Sequence, residues 1–151
     1  MAEQRAAADR MEVVRSWVDI APQGDWVTAL SDEERVARMG AVLEELATAD
    51  IEVAGIASDG TMLTTSFHGV AGLLDFWQDW LTPWESFRVE IERVLEGPDG
   101  VVVEVVQKGQ LKGSTALVET PSAAVHYFRD GRFSRIEFHL DRDRARRAAG
   151  L

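Results

Sequence analysis

Between Phe87 and Leu140 the chain alternates apolar and polar residues with the two-residue period of a half-buried strand, and short turn clusters cut the stretch into pieces. Phe87, Val89 and Ile91 alternate with Arg88, Glu90 and Glu92. Gly97-Pro98-Asp99-Gly100 turns the chain into a second run over 101–107, and Gly109 and Gly113 bracket the next turn. A long run follows from 115 to 129. Within it Pro121 marks a bulge or a sheet edge, because proline has no N–H to give a ladder. Asp130-Gly131 is a tight hairpin signal, and 133–140 closes the series. Four strands joined by short turns predict an antiparallel meander, and a meander with one apolar face must have that face covered.

The cover lies upstream. Val13, Val14, Trp17, Val18 and Ala21 fall at helical spacing, and Pro22 and Gly24 end that helix. Residues 1–10, Ala-rich and charged, read as a flexible or helical extension, which leaves 11–151 as one domain. Ser31 and Glu34 have capping-box spacing, and Val36, Met39, Leu43 and Leu46 then mark one face of a second helix running to about Ala47. Two short strands are expected in 51–66, split by Ser58-Asp59-Gly60. Val70, Leu73, Leu74, Trp77, Leu81 and Trp84 share the face of a third helix, with Phe76 and Trp80 beside it and Pro83 at its end. Asp141 stands where an N-cap would start a last short helix, and Gly150 where it would stop. Helices grouped ahead of a meander predict an α+β fold, not βαβ winding.

Composition narrows the function. Sixteen Lys and Arg against 26 Asp and Glu leave a net charge of −10, which argues against a nucleic-acid partner. Cysteine is absent, so disulfides, thiolate metal sites and Cys nucleophiles are excluded. No apolar run reaches the ~18 residues of a membrane span, and the opening Met1-Ala-Glu-Gln-Arg lacks the apolar core of a signal peptide. A soluble, cytoplasmic protein is expected. The glycines at 109 and 113 lie between strands, so Rossmann and P-loop readings fail, and there is no GxSxG elbow. The histidines at 68, 126 and 139 are too scattered for a local metal motif; neither metal nor cofactor is expected.

A strongly curved sheet and three helices cannot close completely, so a cone with an apolar cavity is expected, a common kind of ligand site. On the last strand Ser134, Ile136, Phe138 and Leu140 form the set that faces the helices, and Arg135, Glu137 and His139 the opposite set. On the strand before it, pairing across Asp130-Gly131 turns Ala124, His126 and Phe128 inward and Val125 and Tyr127 outward. His126 is then an ionisable group in an apolar pocket. It acts either as a general base or acid or as a strand histidine bonded to a neighbour. Trp17, Trp77, Trp80 and Trp84 form either an aromatic wall for a ring-shaped ligand or ordinary core. Glu52 alternates with Ile51 and Val53; facing in, it would be a usable acid or base, and facing out, a solvated carboxylate. His68 reads as a loop or cap residue near the cavity mouth, His139 as a surface or dimer residue, and Arg142, Arg144, Arg146 and Arg147 as a solvated helix.

Several stretches together resemble a known family. They are Gly24-Asp25 after the first helix, His68-Gly69 leading into Leu74, Phe76 and Trp80, the valine-rich 101–106, and above all 125–133 (VHYFRDGRF) followed by Ile136 and Leu140-Asp141-Arg142. From about residue 11 to 151 the chain resembles the SnoaL-like proteins of the nuclear-transport-factor-2-like superfamily, which includes ketosteroid isomerase and polyketide cyclases. The resemblance implies an α+β cone, often dimeric through the outer sheet face, with a small apolar molecule inside. It maps the isomerase tyrosine onto Trp17, the isomerase base onto Val53 and the oxyanion acid near Ala124 or His126. The cyclase acid falls near Phe138. Trp keeps an N–H but no phenol, and Val and Phe have no proton chemistry, so neither set of machinery is matched. The candidate catalytic residues are therefore His126 and Glu52. The candidate pocket is Trp17, Val53, Phe76, Trp77, Trp80 and Trp84 with Ala124, Phe128, Ile136 and Phe138. Two functions follow as expectations: a cofactor-independent isomerase, cyclase or hydratase working by proton transfer on a ring-containing molecule, or a non-catalytic binding or dimerisation module. A protein-partner module rests on fold analogy alone.

Overall fold

The computed structural model describes residues 2–63 and 67–151, and side chains from residue 10 onward. The meander is present as β3 (Trp84–Glu96), β4 (Val101–Leu111), β5 (Leu117–Arg129) and β6 (Arg132–His139), each antiparallel to the next. Ahead of it run α1 (Ala2–Ile20), α2 (Trp26–Leu30), α3 (Glu33–Leu46), β1 (Ala47–Ile56), β2 (Phe67–His68) and α4 (Gly69–Leu81). The chain ends in α5 (Arg142–Ala148). β1 joins the meander parallel to β6, and β2 adds to β1. The result is an α+β fold with one six-stranded mixed sheet in the order β2-β1-β6-β5-β4-β3, open at both ends.

Local chemistry explains the turns. Asp130 and Gly131 both have positive φ, 55° and 77°, as a two-residue hairpin turn of the primed type requires. Pro121 sits opposite Val106, but β5 pairs with β6 only from Ala123 onward, so on that side the proline loses no ladder bond. Asp25 caps α2, accepting from Val27 N at 3.0 Å and Thr28 Oγ1 at 2.9 Å, and the same carboxylate takes the amide of Phe87 at 3.0 Å. Partial burial raises its pKa, but these hydrogen bonds outweigh that and hold the carboxyl below its ordinary range. One side chain thus starts a helix and fastens it to the sheet edge. Asp141 caps α5 as its position predicts, accepting from Asp143 N and Arg144 N.

Three expectations about the elements are corrected. The expected second helix is α3, and a five-residue helix the sequence did not announce, α2, precedes it. Asp32, not Ser31, caps α3, because its carboxylate takes the amides of both Glu34 and Arg35, while the Ser31 hydroxyl turns back to Val27 O and closes α2. Four helices therefore precede the meander among the described residues, instead of three. Trp84 does not continue α4; it opens β3 beyond Pro83, and its indole lies against Gly109 of β4, where a Cβ would stand 2.5 Å from the ring. A glycine inside a strand marks such a close approach. Finally, 51–66 does not form two strands among its described residues. β1 runs through Ile56, a turn follows, and the chain returns only as an isolated bridge of Met62 to Ile56, with Leu63 N donating to Gly55 O; 64–66 lie outside the described residues.

The sheet buries apolar side chains on both faces. The inner face packs against α1 to α4 around Leu43, Ile51, Leu73, Phe133 and Ile136. On the outer face Val102, Ala123 and Val125 pack against Ala145 and Ala149 of the α5 region. The arginine-rich tail is therefore not simply a solvated helix. Arg146 forks onto Glu104 at 2.6 and 2.9 Å, and Arg142 reaches Glu92, Val105 O and Ser122 O. Val125, read as an outward contact residue, is 0% exposed beneath this cover. No described helix is long and apolar enough to cross a membrane.

Candidate functional site

Between the inner face and the helices lies a cavity of about 110 Å³. Strand alternation supplies its floor: Val103, Val105 and Gln107 from β4, Ser122, Ala124 and His126 from β5, and Phe138 from β6. Its roof is aromatic. Trp17 of α1 stacks on Trp77 of α4 with centroids 5.1 Å apart, and Trp26 meets Trp77 edge-on at 5.3 Å. Phe76 stacks on Phe138 at 5.1 Å and on Trp80 at 6.5 Å. Leu63 and Ile91, both exposed, also line the space, so it reaches the surface between them. No Asp, Glu, Lys or Arg stands among the described lining residues.

His126, 2% exposed, is an ionisable side chain of the inner face; His139 of β6 also borders the cavity. The His126 Nδ1 lies 3.4 Å from Val101 O, and its ring tilts against Phe133 with centroids 5.0 Å apart. Val101 and Ile136 flank it on the neighbouring strands. Burial with no charged partner pushes its pKa down to about 4; the contact with Val101 O opposes the shift only weakly. The imidazole is therefore neutral across the physiological range. Two further polar side chains meet farther along the floor, where Gln107 Nε2 donates to Ser122 Oγ at 2.9 Å.

The remaining candidates divide between cavity and elsewhere. Trp17, Phe76, Trp77, Trp80, Ala124 and Phe138 line the cavity. Val53 and Ile136 are buried in the core beside it. Trp84 packs on Phe87 at the β3 edge. Phe128 lies in a separate depression with Asp99 and Asp130, under the guanidinium of Arg10 at 5.3 Å. Glu52 does not face in: with Ile51 and Val53 buried on the inner side, it points the other way and pairs with Arg135 at 2.8 Å. His68 is exposed at the N-cap position of α4 and makes no side-chain cap bond.

His139 is a correction too. It is 4% exposed, not a surface residue, and donates from Nε2 to Glu137 Oε1 at 3.0 Å. Glu137 also accepts from Tyr127 Oη at 3.1 Å and Arg135 Nε at 2.8 Å. The His139 bond, reinforced by Arg135 against the opposing effect of burial, drives the Glu137 pKa down to about 2. Burial first, and then the Glu137 charge, pushes Tyr127 up to about 12. Among the described residues no three His, Asp or Glu side chains gather as a metal cluster would need.

Sequence reasoning missed Trp26, Gln107, Ser122 and the two mouth residues. Ser122 and Gln107 were within reach, since they continue the inward alternations of Ala124–His126 and Val103–Val105. Trp26 was not, because the five-residue α2 that carries it is too short to show a period.

A family model for the SnoaL-like domain matches residues 14–136. Solved structures share the fold. A phenazine biosynthesis-related protein from Pseudomonas aeruginosa aligns with a TM-score of 0.62 at 16% identity, over 97% of this chain and 84% of its own. An NTF2-like protein of unknown function from Burkholderia pseudomallei gives 0.61 at 16% identity, over 95% and 98%. A putative SnoaL-like polyketide cyclase from Jannaschia sp. CCS1 gives 0.58 at 18% identity, over 91% and 93%. At these identities the likeness is one of fold. No curated protein matches the chain.

Proposed function

Starting from a chain that belongs to the SnoaL-like domain family, we propose that it binds a small, uncharged, ring-containing molecule in the cavity between the helices and the inner sheet face. The observation that carries this reading is the lining itself: stacked and edge-on indole and phenyl rings over a valine floor, with no Asp, Glu, Lys or Arg among its described residues. Such walls reward flat apolar ligands, and few polar groups then set orientation. Thermal-shift screening tests it, because a ligand of the folded state raises stability by mass action. Neutral ring compounds are expected to raise Tm in a concentration-dependent way. A screen in which none does so, while charged compounds do, would defeat the reading.

A second reading adds chemistry. A neutral imidazole inside an apolar cavity is a proton acceptor, and a cofactor-independent isomerase, cyclase or hydratase would use it on a ligand carbon acid or hydroxyl. Two features weigh toward binding without turnover. A base held near pKa 4 is a weak acceptor, and no carboxylate faces the cavity among the described lining residues to share the proton. Turnover that His126→Ala abolishes while a bound ring compound still raises Tm would establish the second reading. The family also implies a homodimer, which sedimentation velocity at micromolar concentration would test.

A further inference from the structure

We infer that the ligand is a one-ring molecule carrying a hydroxyl or N–H, which it donates to Nε2 of His126. This rests on the binding reading above and adds to it the size and polarity of the ligand. Size comes first. An apolar cavity of about 150 Å³ holds one benzene, and the space here is about 110 Å³. One ring matches that volume; anything larger must extend out through the mouth between Leu63 and Ile91.

Polarity follows from the protonation pattern of one ring. A backbone carbonyl can only accept, so the imidazole nitrogen that contacts Val101 O must be the one bearing hydrogen. A neutral imidazole carries a single N–H. Nδ1 is committed to Val101, and Nε2 is left as a bare lone pair. That lone pair has no protein partner among the described residues. The ring nitrogens that are both sealed and unpartnered belong to Trp26 and His139. His126 itself lines the cavity, so a molecule there meets this ring. What it recognises is a donor. An ether or ketone oxygen placed there would face lone pair against lone pair, with both desolvated.

The other polar groups of the floor do not compete. Gln107 and Ser122 bond each other, and Ser122 lies four residues along β5 from His126, roughly 13 Å away at strand rise. A single ring cannot span both ends. Charge is disfavoured as well: no Asp, Glu, Lys or Arg stands among the described lining residues, and His139, which also borders the space, is already engaged by Glu137.

Calorimetry with toluene, phenol, benzoate and benzylammonium separates the claims on the intact chain. Toluene and phenol have nearly the same shape and differ in the donor. Toluene is expected to bind, and phenol to bind at least as tightly, although its hydroxyl must leave water. In His126→Phe the phenol-to-toluene affinity ratio is expected to fall at least about tenfold, the scale of one hydrogen bond whose partner is lost. Neither charged analogue is expected to bind. In ¹⁵N spectra of the unaltered protein, the Nε2 resonance of His126 is expected to move with phenol and stay still with toluene, a readout that stands even if the variant does not fold. Toluene binding without phenol binding, a benzoate affinity above that of phenol, or an Nε2 signal indifferent to phenol would overturn the inference and leave the cavity reading intact. Failure of all four probes to bind would defeat both.

Discussion

On the inner face of the sheet His126 meets one carbonyl oxygen and a wall of rings; on the outer face His139 meets a carboxylate that also holds an arginine and a tyrosine. Both imidazoles are almost fully buried. The inner one is stripped of charged company, so desolvation acts unopposed and the ring is neutral. Outside, burial is shared by a network of opposite charges, and the carboxylate at its centre is held firmly ionised. The comparison teaches that burial alone does not set an ionisable group's state; the partners on its own face do. It also separates two roles. The outer face uses charge for attachment, with Arg146 forked onto Glu104 to hold α5 down. The inner face keeps charge out and leaves a space.

The largest effect is expected from packing on the inner face. Phe133 is fully buried against both His126 and Phe128. Phe133→Ala should cost about 3–5 kcal/mol in urea unfolding, and a loss under about 1 kcal/mol would mean that the floor around His126 is not close-packed. Next comes acid sensitivity. The His126 pKa is lower in the folded chain than its ordinary 6.5, so between pH 6.5 and about 4 the unfolded chain binds the extra proton. Stability is then full above pH 6.5 and falls as pH drops through that window, by about 3 kcal/mol in all. Urea midpoints at stepped pH should show this slope in the parent and lose it in His126→Phe. A slope unchanged by the substitution would place the titrating group elsewhere.

The outer face should respond in a different window. The Glu137 pKa is also depressed, so its contribution is present above the ordinary carboxylate value of 4.5 and is lost as pH falls toward about 2. Glu137→Gln is expected to flatten the stability profile there without touching the step above pH 4. If both windows changed together, the two faces would not be independent. The smallest effect is spectroscopic. Tyr127 is the one tyrosine in the chain, so its ultraviolet titration is unambiguous. Ionisation is expected near 12 in the parent, and lower in Glu137→Gln but still above 10, because burial is the larger cause. A native-state midpoint at 10 would show the phenol to be open to water.

Much of the fold was legible because it is written in periods and punctuation. The meander from β3 to β6, the Asp130-Gly131 turn and the cap at Asp141 all follow from local rules. The inward set Ala124, His126 and Phe138 follows from alternation alone. Illegible features depend on what lies across the sheet. Nothing local distinguishes Ser31 from Asp32 as a cap until the Ser31 hydroxyl is seen closing α2. Alternation put Val125 and His139 on the outer face correctly, but their burial comes from α5 and from Glu137, which no strand period can report. For Glu52 the alternation with Ile51 and Val53 fixes the axis, but which side is the inner one, and the Arg135 partner on the adjoining parallel strand, are seen only across the sheet.

The inner face depends on the state of one ring, and proton NMR of the three histidines across pH, with His126 assigned by the His126→Phe difference, reads that state directly. The prediction is a His126 resonance that stays in its neutral position down to about pH 4, with the hydrogen on Nδ1. A midpoint near the ordinary 6.5 would contradict it: the imidazole would then be in water and not sealed into the apolar inner face.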